Sequence, residues 1–297
     1  MNKKILILGA GGMLGSTLFR LLPEYGHNVF GTLRQSKLTQ FVSKVFPNSD
    51  NLIYNIDVLN SDQLSQAIVQ IEPDVIINCI GIIKQLDIAN DPLYVIPINS
   101  LLPYRLSDLA ERFNAKLIHI STDCVFDGKK GNYFESDKPN ADDLYGKSKE
   151  LGEIKDRSHV LTLRTSLIGH ELHSSHSLVD WFLTQNKSVN GYTKAIFSGL
   201  TTIEMAKVIH NHIISKSSAF GLYHLAVNPI SKFELLTLIK EIYKKEIEVF
   251  PSDIFQIDRS LNSERFNRDF IYNPPDWKQL IQEMKEYHDK YKGSFDV

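Results

Sequence analysis

Ile5-Leu6-Ile7-Leu8-Gly9-Ala10-Gly11-Gly12-Met13-Leu14-Gly15, running into Ser16-Thr17-Leu18-Phe19-Arg20-Leu21-Leu22, decides the fold. Its first four residues form an apolar run of strand length, and Ser16 to Leu22 has helical periodicity. Strand, glycine turn and helix in that order give a glycine fingerprint physical meaning. Gly9 permits the tight turn, Gly12 lets a pyrophosphate approach the backbone, and Gly15 lets helix and strand pack closely. The helix start, with Met13 and Leu14 in its first turn, adds free N–H groups and a positive dipole end. The spacing is Gly-x-x-Gly-x-x-Gly, and Gly11 also supplies the middle glycine of the commoner Gly-x-Gly-x-x-Gly. A dinucleotide site is expected at the end of this first strand.

Further strands follow at a regular rhythm. His27–Thr32 reads as the second, and an NAD-preferring site would carry an acidic residue at its end to hold the ribose diol. Thr32-Leu33-Arg34-Gln35-Ser36-Lys37 has none. Arg34, assisted by Thr32, Ser36 or Lys37, is placed instead to hold a 2′-phosphate, so NADPH is expected, with NADH as the alternative. Leu52–Val58 reads as a third strand whose end brings Asp57 and Val58 to the adenine, with Ser61 or Asp62 competing as cap of the following helix. Pro73–Gly81 is a fourth, fully buried strand that sets Cys79 and Gly81 beside the cofactor. Pro92 to Phe113 is helical but interrupted at Pro97 and Pro103, with Asn99 between them to satisfy a freed carbonyl. Lys116–Ile120 is the fifth strand and delivers Ser121-Thr122-Asp123-Cys124-Val125-Phe126 to the same sheet edge. His159–Arg164 is the sixth. Strands alternating with helices in this way predict an α/β fold, a doubly wound parallel sheet of Rossmann type. This region should span 1–168. A smaller mixed α/β substrate-binding part should span 169–297, with a strand near 221–227 returning to the main sheet.

Tyr145-Gly146-Lys147-Ser148-Lys149 carries the chemistry. On a helix Tyr145 and Lys149 lie one turn apart on one face. An ammonium beside a phenol favours the phenolate, so Lys149 should lower the Tyr145 pKa towards neutrality. A phenol so tuned can pass a proton to a substrate oxygen as hydride moves, and the Thr122 hydroxyl would converge on the same oxygen.

The remaining composition narrows the class. In 297 residues, 42% apolar and 23% charged with a net charge of −2, there is no electrostatic case for nucleic acid or a membrane surface. The two cysteines, Cys79 and Cys124, sit in apolar strand-like contexts that suit buried thiols and a reducing compartment. No signal peptide or bilayer-spanning segment is read, so a cytoplasmic enzyme is expected, with a homodimer left open. His170, His173 and His176 sit three apart, but without a cysteine or carboxylate partner they read as loop residues, and no metal is expected. Arg164, Lys194 and Arg259 are better candidates to meet a diphosphate. Ala195–Thr202 should edge the substrate site, Ser231-x-x-Glu234 should cap a helix, and Trp277–Tyr291 should form an amphipathic terminal helix.

Together, the glycine spacing, Asp57-Val58, Ser121-Thr122-Asp123 and Tyr145-x-x-x-Lys149 resemble the extended short-chain dehydrogenase/reductases. Ser121–Gly128, Leu163-Arg164-Thr165-Ser166 and Gly221–Leu225 resemble the dTDP-4-dehydrorhamnose reductases among them. The resemblance implies Tyr145 as general acid, Lys149 on the nicotinamide ribose, and Thr122 orienting a keto oxygen. It places Asp123, Phe126 and Arg164 against a nucleotide-sugar substrate, for cell-surface polysaccharide synthesis. Related 4,6-dehydratases carry Asp-Glu after the threonine. Here the pair is Asp123-Cys124, which removes one carboxyl of the acid/base pair that dehydration uses. The alternatives are an epimerase or dehydratase of the same superfamily and a non-catalytic NADP-binding regulatory subunit, such as the one that serves methionine adenosyltransferase.

Overall fold

A computed structural model of the chain describes residues 2–35, 46, 49–172, 175–216 and 218–291. Six strands arrive in chain order: β1 (Lys4–Leu8), β2 (Asn28–Thr32), β3 (Leu52–Ile53), β4 (Val75–Asn78), β5 (Lys116–Thr122) and β6 (Val160–Thr165). After β7 (Leu167–Ile168), β8 (Ser188–Phe197) and β9 (Leu200–Thr201), β10 (Gly221–His224) returns to pair in parallel with β6. The seven-stranded sheet has the order β10-β6-β5-β4-β1-β2-β3, with every pairing parallel. The order reverses at β1, so a crevice opens between the ends of β1 and β4. The strands that flank it are buried on both faces, and Ile5, Leu6, Ile7, Leu8, Ile76 and Ile77 have no exposure. That burial explains why they read as continuous apolar runs rather than alternations.

A second sheet has the order β11 (Ile230–Ser231), β8, β12 (Glu248–Asp258), with β8 and β12 parallel and β11 antiparallel. The two parts share one core, which runs from Leu18 and Phe19 through Phe182 and Met205 to Trp277 and Met284. The last helix, Trp277–Lys290, buries Trp277, Leu280, Ile281, Met284 and Tyr287 at helical spacing. It also clamps the first helix, Met13–Glu24, through Lys290 to Glu24 at 2.6 Å.

Two local expectations change. The third strand stops at Ile53, because Asn55 takes φ +60° and turns the chain out of extended conformation. The next helix, Ser61–Ile71, is capped by Asn60, which accepts from the Asp62 and Gln63 N–H groups, and not by Ser61 or Asp62. The proline-interrupted helix behaves as its sequence requires. Pro92–Ile96 and Leu102–Arg112 are α-helical, and Pro97–Leu101 between them is a π turn.

Candidate active site

A cavity of about 580 Å³ lies over the carboxyl ends of β1, β4 and β5. Its walls include Gly12, Met13, Leu14, Cys79, Gly81, Thr122, Asp123, Cys124, Tyr145 and Lys149. The glycine turn forms the first wall. Gly9 holds φ +83°, and a Cβ on Gly15 would stand 2.1 Å from the Gly9 carbonyl oxygen, so helix and strand meet backbone to backbone. The Met13–Glu24 helix begins at Gly12 with no side chain capping it. Its first N–H groups therefore remain available to an anion beside the cavity.

Tyr145 stands on the helix Leu144–Leu151, which two attachments hold in place. Asp143 caps it, accepting from the Gly146 N–H at 2.8 Å, and also takes the Lys84 ammonium at 2.6 Å. Lys84 in turn lies 5.6 Å from the centre of the Tyr145 ring. On the other side, Asn99 in the π turn donates to the Ser148 hydroxyl at 3.2 Å and to the Ile82 carbonyl, and accepts from the Ile82 N–H. Lys149 is buried and donates to the Ile120 carbonyl at 2.7 Å. Thr122 accepts from the Cys124 N–H and is hydrogen-bonded to Asp123 and to the Tyr145 phenol.

The electrostatics differ from expectation at Tyr145. Burial, together with Cys124, Asp123 and Asp143, pushes its pKa up, and the bond with Thr122 offsets only part of that. Lys149 does not bring it down, because its ammonium is turned to the Ile120 carbonyl, and burial lowers Lys149 itself to about 8. Tyr145 is therefore held as a phenol, a proton donor. Burial raises the Cys79 and Cys124 thiols to about 12, and both are free. Burial likewise raises the Asp123 carboxyl, opposed by Arg259, Thr122, Cys124 and Lys232.

Several expected residues lie elsewhere. Arg164 has no exposure; its guanidinium grips Glu153 with two bonds of 2.7 Å, bonds His224 at 3.2 Å and stacks on Phe126. It ties β6 to the end of the tyrosine helix and does not reach the cavity. Phe126 is equally buried, stacked on Tyr133 with ring centres 4.1 Å apart, so it backs the site without lining it. Val58 packs into the core under the sheet, and Asp57 caps its own turn by accepting from the Leu59 N–H. Arg34 is exposed at the end of β2, while its suggested helpers Ser36 and Lys37 lie outside the described residues. Lys194 pairs with Asp253 at the surface, and Arg259 does line the cavity while donating to the Phe126 carbonyl. His170 bonds Asp180 and Tyr243, His173 lies outside the described residues, and His176 lines the cavity.

Lys232 also lines the cavity, and sequence reading passed over it. The capping box at Ser231 and Glu234 is present and does mark the start of Lys232–Tyr243. Nothing in the linear sequence shows that this helix start lines the same cavity as Asp123.

Residues 3–289 match the family described as the RmlD substrate binding domain. The chain belongs to that family. It is 26% identical over 312 residues to a dTDP-4-dehydrorhamnose reductase of Aggregatibacter actinomycetemcomitans, covering 96% of this chain and 99% of that one. A solved structure of a hypothetical dTDP-4-dehydrorhamnose reductase from Sulfolobus tokodaii is 28% identical, with a TM-score of 0.74 over 93% of this chain and 98% of its own. The dTDP-4-dehydrorhamnose reductase of Bacillus anthracis, solved in complex with NADP, shares the fold at 20% identity, with a TM-score of 0.77 over 97% of this chain and 99% of its own. This RmlD-family chain is thus an extended short-chain dehydrogenase/reductase. Among its described residues no helix is long and apolar enough to cross a membrane.

Proposed function

We propose that this chain reduces the C4 ketone of a nucleotide-linked 4-keto-6-deoxyhexose with NADPH, in the synthesis of surface polysaccharide. The observation that carries the reading is the convergence of the Thr122 hydroxyl, the Tyr145 phenol and Lys149 on the cavity that the glycine turn borders. The residues fit a dinucleotide. The uncapped start of the Met13–Glu24 helix supplies N–H groups for the pyrophosphate, and Gly81 brings bare backbone up to Lys149, whose ammonium would stand 3.9 Å from a Cβ there. Arg34 would meet the 2′-phosphate, and Lys149 the nicotinamide ribose. When bound, NADPH supplies the hydride. Thr122 orients the keto oxygen and Tyr145 gives it a proton.

Cys124 argues against dehydration. A thiol raised to about 12 is a poor replacement for the carboxyl that helps expel a hydroxyl. Incubation of the purified protein with NADPH and a panel of nucleotide 4-keto-6-deoxyhexoses tests the reading. One NADPH should be consumed per sugar reduced, and an ordinary nucleotide hexose such as dTDP-glucose should be left unchanged. Conversion of that hexose to a keto sugar without net cofactor consumption would overturn it, and so would failure to reduce any keto sugar in the panel.

A further inference from the structure

Reduction uses Thr122, Tyr145 and Lys149, yet the same cavity holds a second amine with no assigned work. Lys232 begins the helix Lys232–Tyr243, which packs on β8, and it enters the cavity from the small sheet and not from the dinucleotide-binding wall. Its ammonium sits 4.2 Å from the centre of the Phe197 ring. Among the described residues it has no hydrogen-bond acceptor and no carboxylate within ion-pair reach, so it is not a structural pair. Asp123 and Cys124, which follow Thr122 in the chain and line the same cavity, are the titratable groups whose charge acts on it. Thr122 and Tyr145, which hold the ketone oxygen in the proposed reaction, line the same cavity, so Lys232 shares that cavity with the carbons next to the ketone. Burial brings Lys232 down to about 8, so roughly a tenth of it is free amine at pH 7.

We infer that Lys232 is a general base that removes the proton from a carbon flanking the ketone, giving the enzyme a proton-exchange activity alongside reduction. The substrate ketone in this inference rests on the function proposed above. In the step, the Lys232 amine takes the proton and becomes an ammonium. The C–H electron pair forms the carbon–carbon double bond of an enolate, and the carbonyl π pair moves to the C4 oxygen, where the Thr122 and Tyr145 hydroxyls stabilise it. Return of the proton from Lys232 restores the sugar. Nothing is oxidised or reduced, so no co-reactant is needed. The alternative use of this cation, simple attraction of a substrate phosphate, needs only its charge, and a guanidinium would preserve it.

The test uses the full chain with NADP+, which blocks reduction, and nucleotide 4-keto-6-deoxyhexoses in D2O, with deuterium in the recovered sugar read by mass spectrometry and NMR. Wild-type enzyme should introduce one deuterium beside the ketone well above the enzyme-free rate. Both K232M and K232R should lower that exchange by about 10²-fold or more, since neither side chain is a base near neutral pH. NADPH binding by each variant checks that it is folded. Full exchange in K232R would overturn the inference and assign Lys232 to charge attraction. Absence of exchange in a sugar that the enzyme reduces would overturn it as well and leave the reductase reading intact. Exchange by wild type, lost in both variants, without reduction of any sugar would sink the reductase reading and leave this one standing. Neither exchange nor reduction with any sugar would overturn both.

Discussion

Tyr145 shows how far a pair of residues can be read without its surroundings. The four-residue spacing correctly puts Tyr145 and Lys149 on one helix face, but helix geometry says nothing about how deeply that face is buried. Desolvation favours the neutral phenol and the neutral amine, and here it moves Tyr145 up and Lys149 down to about 8. As proton donor, Tyr145 is testable by Tyr145→Phe, which keeps the ring and its packing. Turnover with a reducible keto sugar should fall by about 10²-fold or more while the NADPH dissociation constant stays nearly constant. Near wild-type turnover would remove Tyr145 from the role. Arg34, exposed at the end of β2, is the residue proposed to choose the cofactor. Arg34→Ala should weaken NADPH by about 1.5–3 kcal/mol, the scale of a charged hydrogen bond, and leave NADH unaffected in titrations of both. Equal losses for the two cofactors would assign Arg34 to the pyrophosphate or to the fold.

Elements with strong local signals were legible, and those set by neighbours were not. The glycine turn, the proline-broken helix and the Ser231 capping box each carry their geometry in a few adjacent residues. The short β3 was over-read, because an apolar run looks extended whether or not a partner strand continues beside it, and only Leu52 and Ile53 are paired to β2. The tyrosine helix is eight residues long and depends on its attachments. Asp143 serves both as its cap and as the acceptor of Lys84 from the loop after β4. Asp143→Ala should cost about 0.5–2 kcal/mol for the cap, read as a fall in melting temperature of a few degrees. It should also lower kcat more than it changes NADPH binding, since it loosens the helix that aims Tyr145. An unchanged kcat alongside the lowered melting temperature would limit Asp143 to stability.

On the scale of the whole molecule, polar groups buried behind the cavity tie the strands of the main sheet to the tyrosine helix. Glu153 accepts from Arg164 and Ser121, Arg164 bonds His224, and His224 donates to the Tyr133 carbonyl. This network connects the tyrosine helix, β5, β6 and β10, so the guanidinium read as a substrate contact is instead a structural tie. Burial, followed by the charge of Arg164, lowers His224 to about 3, and burial also holds His119 well below its ordinary value. The unfolded chain takes up a proton on each histidine near pH ~6.5. The stability that His224 contributes is therefore complete above about pH 6.5 and is lost as pH falls towards 3. His224→Gln keeps a donor and an acceptor but cannot be protonated. Its melting temperature should start lower at pH 7 and fall less steeply into acid than that of wild type. Parallel curves would mean that His224 is not the group responsible.

The order of strands and helices, the glycine turn and the one-turn spacing of Tyr145 and Lys149 follow from residues close in sequence, because periodicity and turn chemistry act over a few positions. Tertiary structure alone decided which charges meet the cavity. Arg164 was drawn inward because Glu153 and His224, 11 and 60 positions away, offer it a buried partner and an acceptor. Lys232 was brought to the cavity because the helix it begins packs on β8, across from the dinucleotide-binding wall. Burial and long-range partners determine whether a cation is a tie in the core or a group that works on a ligand, and neither is encoded within the reach of a local pattern.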